Sequence, residues 1–303
     1  MHKDTQLTKA YITGIGFSVM VGFSFLGVKV CTRVATTLQI LTIRYDFAML
    51  AVLVFMLLRL GRIDMNGKPK KDLLLTAAFY IGFMILQTIG LYFATSVESA
   101  ILFAIIPIMV KIIAEIFLKE RSTMLQNIFV CISVAALIAM IILGATNLTV
   151  NFVGVAVLLL SSLSMAINNV YMRFTRNTYT PFEITFMICL LGFVVFNAIS
   201  LVNGAVHGTM AGYFEPCVHV EFVVATAYLG ICCILFSAQM MAYMQAHMPA
   251  VNASLFGNVS TAISVISGVV VLGEPLRWYH IVCAVLIIIG AVGMNMSGRK
   301  ELQ

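Results

Sequence analysis

Ten stretches of about 20 consecutive apolar residues follow one another along this 303-residue chain. Each is long enough to cross the hydrocarbon core of a bilayer, because about 20 residues at 1.5 Å per residue cover about 30 Å. They lie near residues 10–28, 38–58, 73–93, 99–118, 124–144, 153–172, 181–202, 221–243, 249–272 and 277–296. The runs are continuously apolar, whereas the strands of a membrane barrel alternate over about 10 residues, so the pattern predicts helices. Only 10% of the residues are charged. A soluble domain carries roughly a quarter, which excludes a water-facing globular fold. The two longest connectors, 59–72 and 203–219, hold the Gly, Pro and Asn expected of loops and are too short for a second domain.

A net charge of +6 would suggest nucleic acid as a partner in a soluble protein, but here the basic residues sit mostly in short connectors. With the N-terminus inside, the inner segments hold Lys3, Lys9, Arg59, Arg62, Lys68, Lys70, Lys71, Lys119, Arg121, Arg173, Arg176, Arg299 and Lys300, 13 of the 18. Lys29, Arg33 and Arg277 lie outside, and Arg44 and Lys111 fall within helices. Retention of Lys and Arg on the cytoplasmic side then predicts a multi-pass protein of the cell (inner) membrane with both termini in the cytoplasm. The first apolar run is long enough to span, so a cleaved leader is not expected. The seven cysteines lack CxxC or metal-ligand spacing and read as small core residues, and neither metal nor cofactor is expected.

The chain repeats itself. Leu118-Lys119-Glu120-Arg121 leads into an apolar helix and reappears 154 residues later as Leu272-Gly273-Glu274-Pro275. Leu102-Phe103 recurs as Leu255-Phe256, and Gly14 and Gly154 open the first and sixth runs. Five helices per half reverse the second half in the membrane. The expected architecture is an all-α integral membrane protein of ten helices, built as two inverted five-helix repeats (residues 1–148 and 149–303) around a central cavity. Secondary transporters use this arrangement to alternate access.

The sequence resembles the EamA family of the drug/metabolite transporter superfamily over nearly its whole length. Gly22-Phe23-Ser24-Phe25 with Lys29, Arg44-Tyr45, Ala94 through Ala100, Pro107, the two Glu turns, Ala166, Tyr171 and Gly290 carry the resemblance. It implies a basket of ten helices with the fifth and tenth peripheral. It also implies transport of small metabolites such as amino acids, or of organic cations, often outward. Two features depart from the family pattern. Val21 stands where a Trp commonly precedes the Gly of the first helix, and the fourth helix carries Lys111 and Glu115 in place of small or apolar residues.

An ionisable group inside hydrocarbon costs several kcal/mol unless it pairs or meets water, which makes Arg44, Asp46, Lys111 and Glu115 the leading substrate or coupling candidates. Asp46 is the deepest acid and is expected to exchange protons. Arg44, two residues away, points to nearly the opposite side of the helix, so Asp46 needs a partner from another helix. Lys111 is the nominee for that partner, and Glu115, one turn on, is the rival claimant on Lys111. Gln87, Asn168, Gln239 and Asn258 are further cavity candidates, Asn168 and Asn258 foremost. Pro107 is a hinge candidate, and Glu120 and Glu274 are gate or interfacial residues. No HExxH, GxSxG or P-loop is present, so a transporter coupled to protons or to none is expected; a membrane-embedded enzyme or a non-transporting scaffold is the alternative. The expected partners are a small solute, protons and the lipid bilayer. A homodimer is the further partner considered, although small-residue spacings such as Gly290 and Gly293 are too common to establish one.

Overall fold

The computed structural model describes residues 2–93, 102–120, 123–144, 152–208, 212–272 and 278–299, and among these residues every regular element is helical. The helices are α1 (His2–Gly22), α2 (Ser24–Cys31), α3 (Thr37–Leu57), α4 (Lys70–Phe93), α5 (Ile106–Phe117) and α6 (Met124–Gly144). They continue as α7 (Phe152–Thr175), α8 (Pro181–His207), α9 (Val220–Ala227), α10 (Ser237–His247), α11 (Ala250–Leu272) and α12 (Trp278–Arg299). A π-helical stretch, Tyr228–Phe236, joins α9 to α10 into one rod, and α1 runs into α2 across a break at Phe23. Six of the described helical stretches are long and apolar enough to cross a membrane: Thr5–Cys31, Thr37–Leu57, Lys70–Gly90, Phe152–Thr175, Pro181–His207 and Val220–His247. Met124–Ala139 and Ile281–Met294 are shorter apolar helices.

The helix starts are written in the sequence. Thr36 accepts the Gln39 amide while the Gln39 side chain accepts from the Thr36 amide, and Thr180 and Glu183 repeat the device at the start of α8. In each case two otherwise orphaned N–H groups are satisfied where the chain re-enters a helix. Gly208, at φ +68°, ends α8 in the left-handed conformation that glycine adopts without steric cost.

Inside an apolar bundle, small and hydroxylated side chains hold neighbouring helices together. On α7, Ser161, Ser164 and Asn168 donate to the Phe83, Phe79 and Thr76 carbonyls of α4 at 2.9, 2.7 and 2.7 Å, an antiparallel zipper along one helix face. Ser18 ties α1 to the Phe256 carbonyl of α11 at 2.9 Å. Gly290 and Gly293 of α12 are pressed against Phe129 and Ser133 of α6, and a Cβ on Gly290 would meet the Phe129 carbonyl at 2.7 Å. This pair of glycines packs within the chain, against α6.

Candidate functional site

Between α1, α3, α4, α7, α11 and the Tyr228–Phe236 rod lies a cavity of about 590 Å³. Its lining reaches Thr32 and Thr37 at one end of the bundle and stops at Met172 towards the other. Arg44, Gln87, Pro107, Asn168 and Asn258 all line it, with Ser24, Asn169 and Thr261. The walls are otherwise apolar, with Phe17, Phe83, Phe103, Met84, Met165 and Met241. Among the described lining residues, Arg44 is the one side chain charged at neutral pH. Its Nη2 contacts the Met84 sulfur at 3.5 Å, its Nε is buried without a partner, and no carboxylate pairs with it among the described residues. A guanidinium held this way, in a low-dielectric cavity, is set to receive an anion.

Asp46 lies elsewhere. It lines a separate hollow of about 1190 Å³ beside Gln39, Ser200 and Tyr213, at the end of the bundle where α3 begins and α8 ends. Its Oδ1 accepts from Asn197 Nδ2 at 2.7 Å, and Asn197 Oδ1 accepts in turn from the Tyr213 hydroxyl at 2.9 Å. Burial, and then the nearby Asp46 carboxylate, push the Tyr213 phenol up to about 12, so it remains a donor across physiological pH. The expected Asp46–Lys111 pair is not formed. Lys111 pairs with Glu115 one turn on, at 3.8 Å, and Glu115 is half-exposed. Neither residue of that pair lines the cavity, nor does the partly buried Gln239. The physical reason is the one that separated Asp46 from Arg44. Two residues apart on one helix point to opposite sides, so a cavity on the Arg44 side leaves Asp46 facing α8.

Glu120 lies at the end of the bundle away from Thr32. Its Oε1 accepts from Arg173 Nε at 2.7 Å, and its Oε2 accepts from the Ala250 backbone N–H at 3.0 Å, which caps α11 from outside that helix. Arg173 also donates to the Gln245 and Ala246 carbonyls at 2.8 and 3.2 Å. One carboxylate and one guanidinium thus knot the ends of α5, α7 and α10 and the start of α11, directly beyond Met172. Lys119, at φ +55°, makes the turn that brings Glu120 back over the bundle. A second tie lies at the start of α8, where the buried Glu183 accepts from Lys68 Nζ at 2.7 and 2.9 Å and from the Asp64 N–H at 3.0 Å. Glu274 and the boundary at residues 148–149 lie outside the described residues. The Arg173 knot, the Asn197–Tyr213 chain and the Lys68–Glu183 tie were not anticipated from the sequence. The Thr180-Pro181-Phe182-Glu183 capping pattern is the local signal that could have found Glu183 as a helix-start acid, but nothing local marks its lysine.

An apolar helical bundle around a cavity with mostly apolar walls and, among the described lining residues, one charged side chain fits the class of membrane transporters. The chain belongs to the EamA-like transporter family, whose profile matches residues 8–142 and again 152–296. It is 36% identical over 298 residues to an uncharacterized transporter, YcxC, of Bacillus subtilis (strain 168), covering 98% of this chain and 96% of that one. An uncharacterized transporter of Archaeoglobus fulgidus is 22% identical over 275 residues, covering 89% of this chain and 92% of that protein. A crystal structure with 14% sequence identity superposes with a TM-score of 0.79 over 98% of this chain and 99% of its own, which shows the shared fold. The protein is a membrane transporter of the drug/metabolite type.

Proposed function

We propose that the protein is a secondary transporter that moves small metabolites carrying a carboxylate or similar anionic group across the cytoplasmic membrane, outward, by alternating access between two inverted five-helix halves. The observation that carries the reading is the unpaired Arg44 in the central cavity. A lone cation surrounded by apolar walls disfavours organic cations as cargo and favours anions, because like charge in a low dielectric is costly. Among the described lining residues, nothing has the base-and-nucleophile arrangement that an enzyme would need.

The duplication is supported by the two family matches and by the packing of the helices. Exchanging the halves pairs α1 with α7, α3 with α8, α4 with the α9–α10 rod, α5 with α11 and α6 with α12. Contacts follow that exchange: α4 packs on α7 as the α9–α10 rod packs on α1, α5 on α7 as α11 on α1, and α4 on α8 as the rod on α3. Pairs that the exchange maps onto themselves, α3 with α8 and α6 with α12, are also packed. The symmetry is broken in one respect. The rod packs on α7 and α8 near the Glu120 knot, whereas α4 does not pack comparably on α1 or α3 among the described residues. In the orientation given by the basic residues, the cytoplasmic end is latched and the cavity leans outward. Asp46, with its single amide donor, is the proton-exchange group in this reading.

The test is a survey of purified protein in proteoliposomes loaded with a metabolite mixture, reading by mass spectrometry which solutes leave with and without an imposed pH gradient. Exit of anionic or zwitterionic solutes that stops in Arg44→Gln supports the reading. Exit confined to cations, or unchanged in Arg44→Gln, overturns it.

A further inference from the structure

The first span is broken where the cavity passes it. α1 ends at Gly22 and α2 begins at Ser24, with Val21 and Ser24 in the cavity wall. Side chains take up the carbonyls at the break. The Met20 carbonyl accepts from the Tyr228 hydroxyl at 2.7 Å and from the Cys233 thiol at 3.6 Å, and the Val21 carbonyl accepts from the Ser24 hydroxyl at 2.6 Å. A side chain that engages the ladder carbonyls is one of the few causes of a sharp kink. Tyr228 and Cys233 belong to the π-helical stretch Tyr228–Phe236, so two backbone irregularities face each other at one level of the bundle and are tied together. π-Helical turns collect at functional sites.

Beyond the break, α2 and α9 form one body. α2 packs chiefly on α9, Cys31 Sγ lies 3.3 Å from Thr226 Oγ1, and Cys31, Phe222 and Leu229 share a buried cluster with Ile40 and Ile43 of α3. The π-helical stretch also bears on the helix that carries Arg44, because Gly230 is seated on α3 with no room for a Cβ between it and the Arg44 carbonyl. The body therefore has one edge at the cavity mouth, at Val28 and Thr32, and its pivot at the level of Arg44. Exchanging the halves maps the α1–α2 span onto α7 and the rod onto α4. Those counterparts run unbroken through Phe152–Thr175 and Lys70–Phe93, zipped by Ser161, Ser164 and Asn168. One packed pair is continuous and its counterpart is broken, so the break belongs to a state of the pair and not to its packing.

We infer that Tyr228 is the latch of an outer gate. α2 and α9 turn together about Phe23 and the π-helical stretch, with Tyr228 holding the Met20 carbonyl while the cavity is open outward and releasing it as α1 and α2 join into one straight helix. The inference rests on the transporter reading above and adds the element that closes the cavity on the outer side.

The test replaces the seven native cysteines by alanine, which leaves Tyr228 as the side-chain donor to Met20, and labels two reporters with an impermeant thiol reagent. Thr261→Cys, in the cavity wall on α11, is labelled from the outer side, and Met172→Cys from the Glu120 side. Tyr228→Phe removes only the hydroxyl. Labelling of Met172→Cys is expected to accelerate by about fivefold, the population shift carried by one net hydrogen bond, and labelling of Thr261→Cys to slow. Ser24→Ala returns the Val21 carbonyl to the helix ladder; it is expected to move both rates in the same directions and carries the test if Tyr228→Phe fails to fold. Unchanged rates, or rates that rise from both sides as in a bundle merely loosened, overturn the inference. Glu120→Ala separates the two levels. If it speeds Met172→Cys and slows Thr261→Cys while Tyr228→Phe does not, the gate inference fails and alternating access stands. If neither variant moves the two rates in opposite directions, both fail.

Discussion

Removing the Glu120 carboxylate should open the end of the bundle that it closes. The Arg173–Glu120 pair is partly buried, with 12% and 21% of the side chains exposed. A surface pair contributes about 0–1 kcal/mol and a fully buried one costs about 3–5 kcal/mol to break from one side, so about 2 kcal/mol fits this intermediate case. Glu120 also caps α11 through the Ala250 N–H at 3.0 Å, and loss of a cap costs about 1 kcal/mol. The sum of about 3 kcal/mol corresponds to about a hundredfold shift between closed and open forms, at 1.4 kcal/mol per factor of ten. The reporter is the rate at which an impermeant thiol reagent, added from the Glu120 side, labels Met172→Cys in a chain whose seven native cysteines are replaced. Met172 is 1% exposed in this structure. With Glu120→Ala, labelling should accelerate by about that hundredfold, and labelling of Thr32→Cys from the opposite side should slow. A variant that melts earlier but labels Met172→Cys at the parental rate would refute the latch, since Glu120 would then be stabilising both states equally.

Four further outcomes follow from the same geometry. Asp46→Asn should remove any dependence of flux on an imposed pH gradient while leaving Arg44-dependent binding intact; the parental pH response in this variant ends the coupling assignment. Glu183→Ala strands Lys68 and the Asp64 and Thr180 amides, and should cost about 3 kcal/mol in thermal or denaturant unfolding; a loss below about 1 kcal/mol would show the tie to be an ordinary surface pair. Gly290→Leu forces a side chain into the Phe129 backbone and should destabilise the protein by about 1–3 kcal/mol without changing its mass in detergent. A change of oligomeric state instead would mean that this face meets another chain. Tyr213→Phe removes the donor to Asn197 and should shift the pH response of flux if Asp46 is its source; an identical profile would separate the Asn197–Tyr213 chain from coupling.

The helices were legible because lipid imposes a length and a continuity that residue composition displays directly. The expected run at 38–58 is the helix Thr37–Leu57, and 124–144 is Met124–Gly144. The expected run at 221–243 became a longer rod with a π-helical centre, a local change of hydrogen-bonding that apolar composition does not encode. For the site, isolation in apolar sequence pointed to Arg44, Gln87, Asn168 and Asn258, and the cavity gathers these four. The same criterion pointed to Asp46 and Lys111 and left Lys111 between Asp46 and Glu115; the structure forms the Lys111–Glu115 pair, because helix rise measures depth and says nothing about the side from which a neighbouring helix approaches. Asn197 and Tyr213 are 16 residues apart, and Tyr213 sits in a connector, where polar residues carry no signal. Arg173 looked like one more basic residue at a cytoplasmic helix end. Its partner lies 53 residues away, a relation that only the folded bundle brings into contact.

Alternating access between inverted halves requires that the two halves insert in opposite senses, and side-specific labelling tests that arrangement directly. In a cysteine-free background, Lys119→Cys, on an exposed turn, and Glu274→Cys are probed in intact cells and in inside-out vesicles with an impermeant reagent. The first should react only from the cytoplasmic face and the second only from the outer face. Reaction of both from the same face would contradict the inverted arrangement and the alternating access built on it.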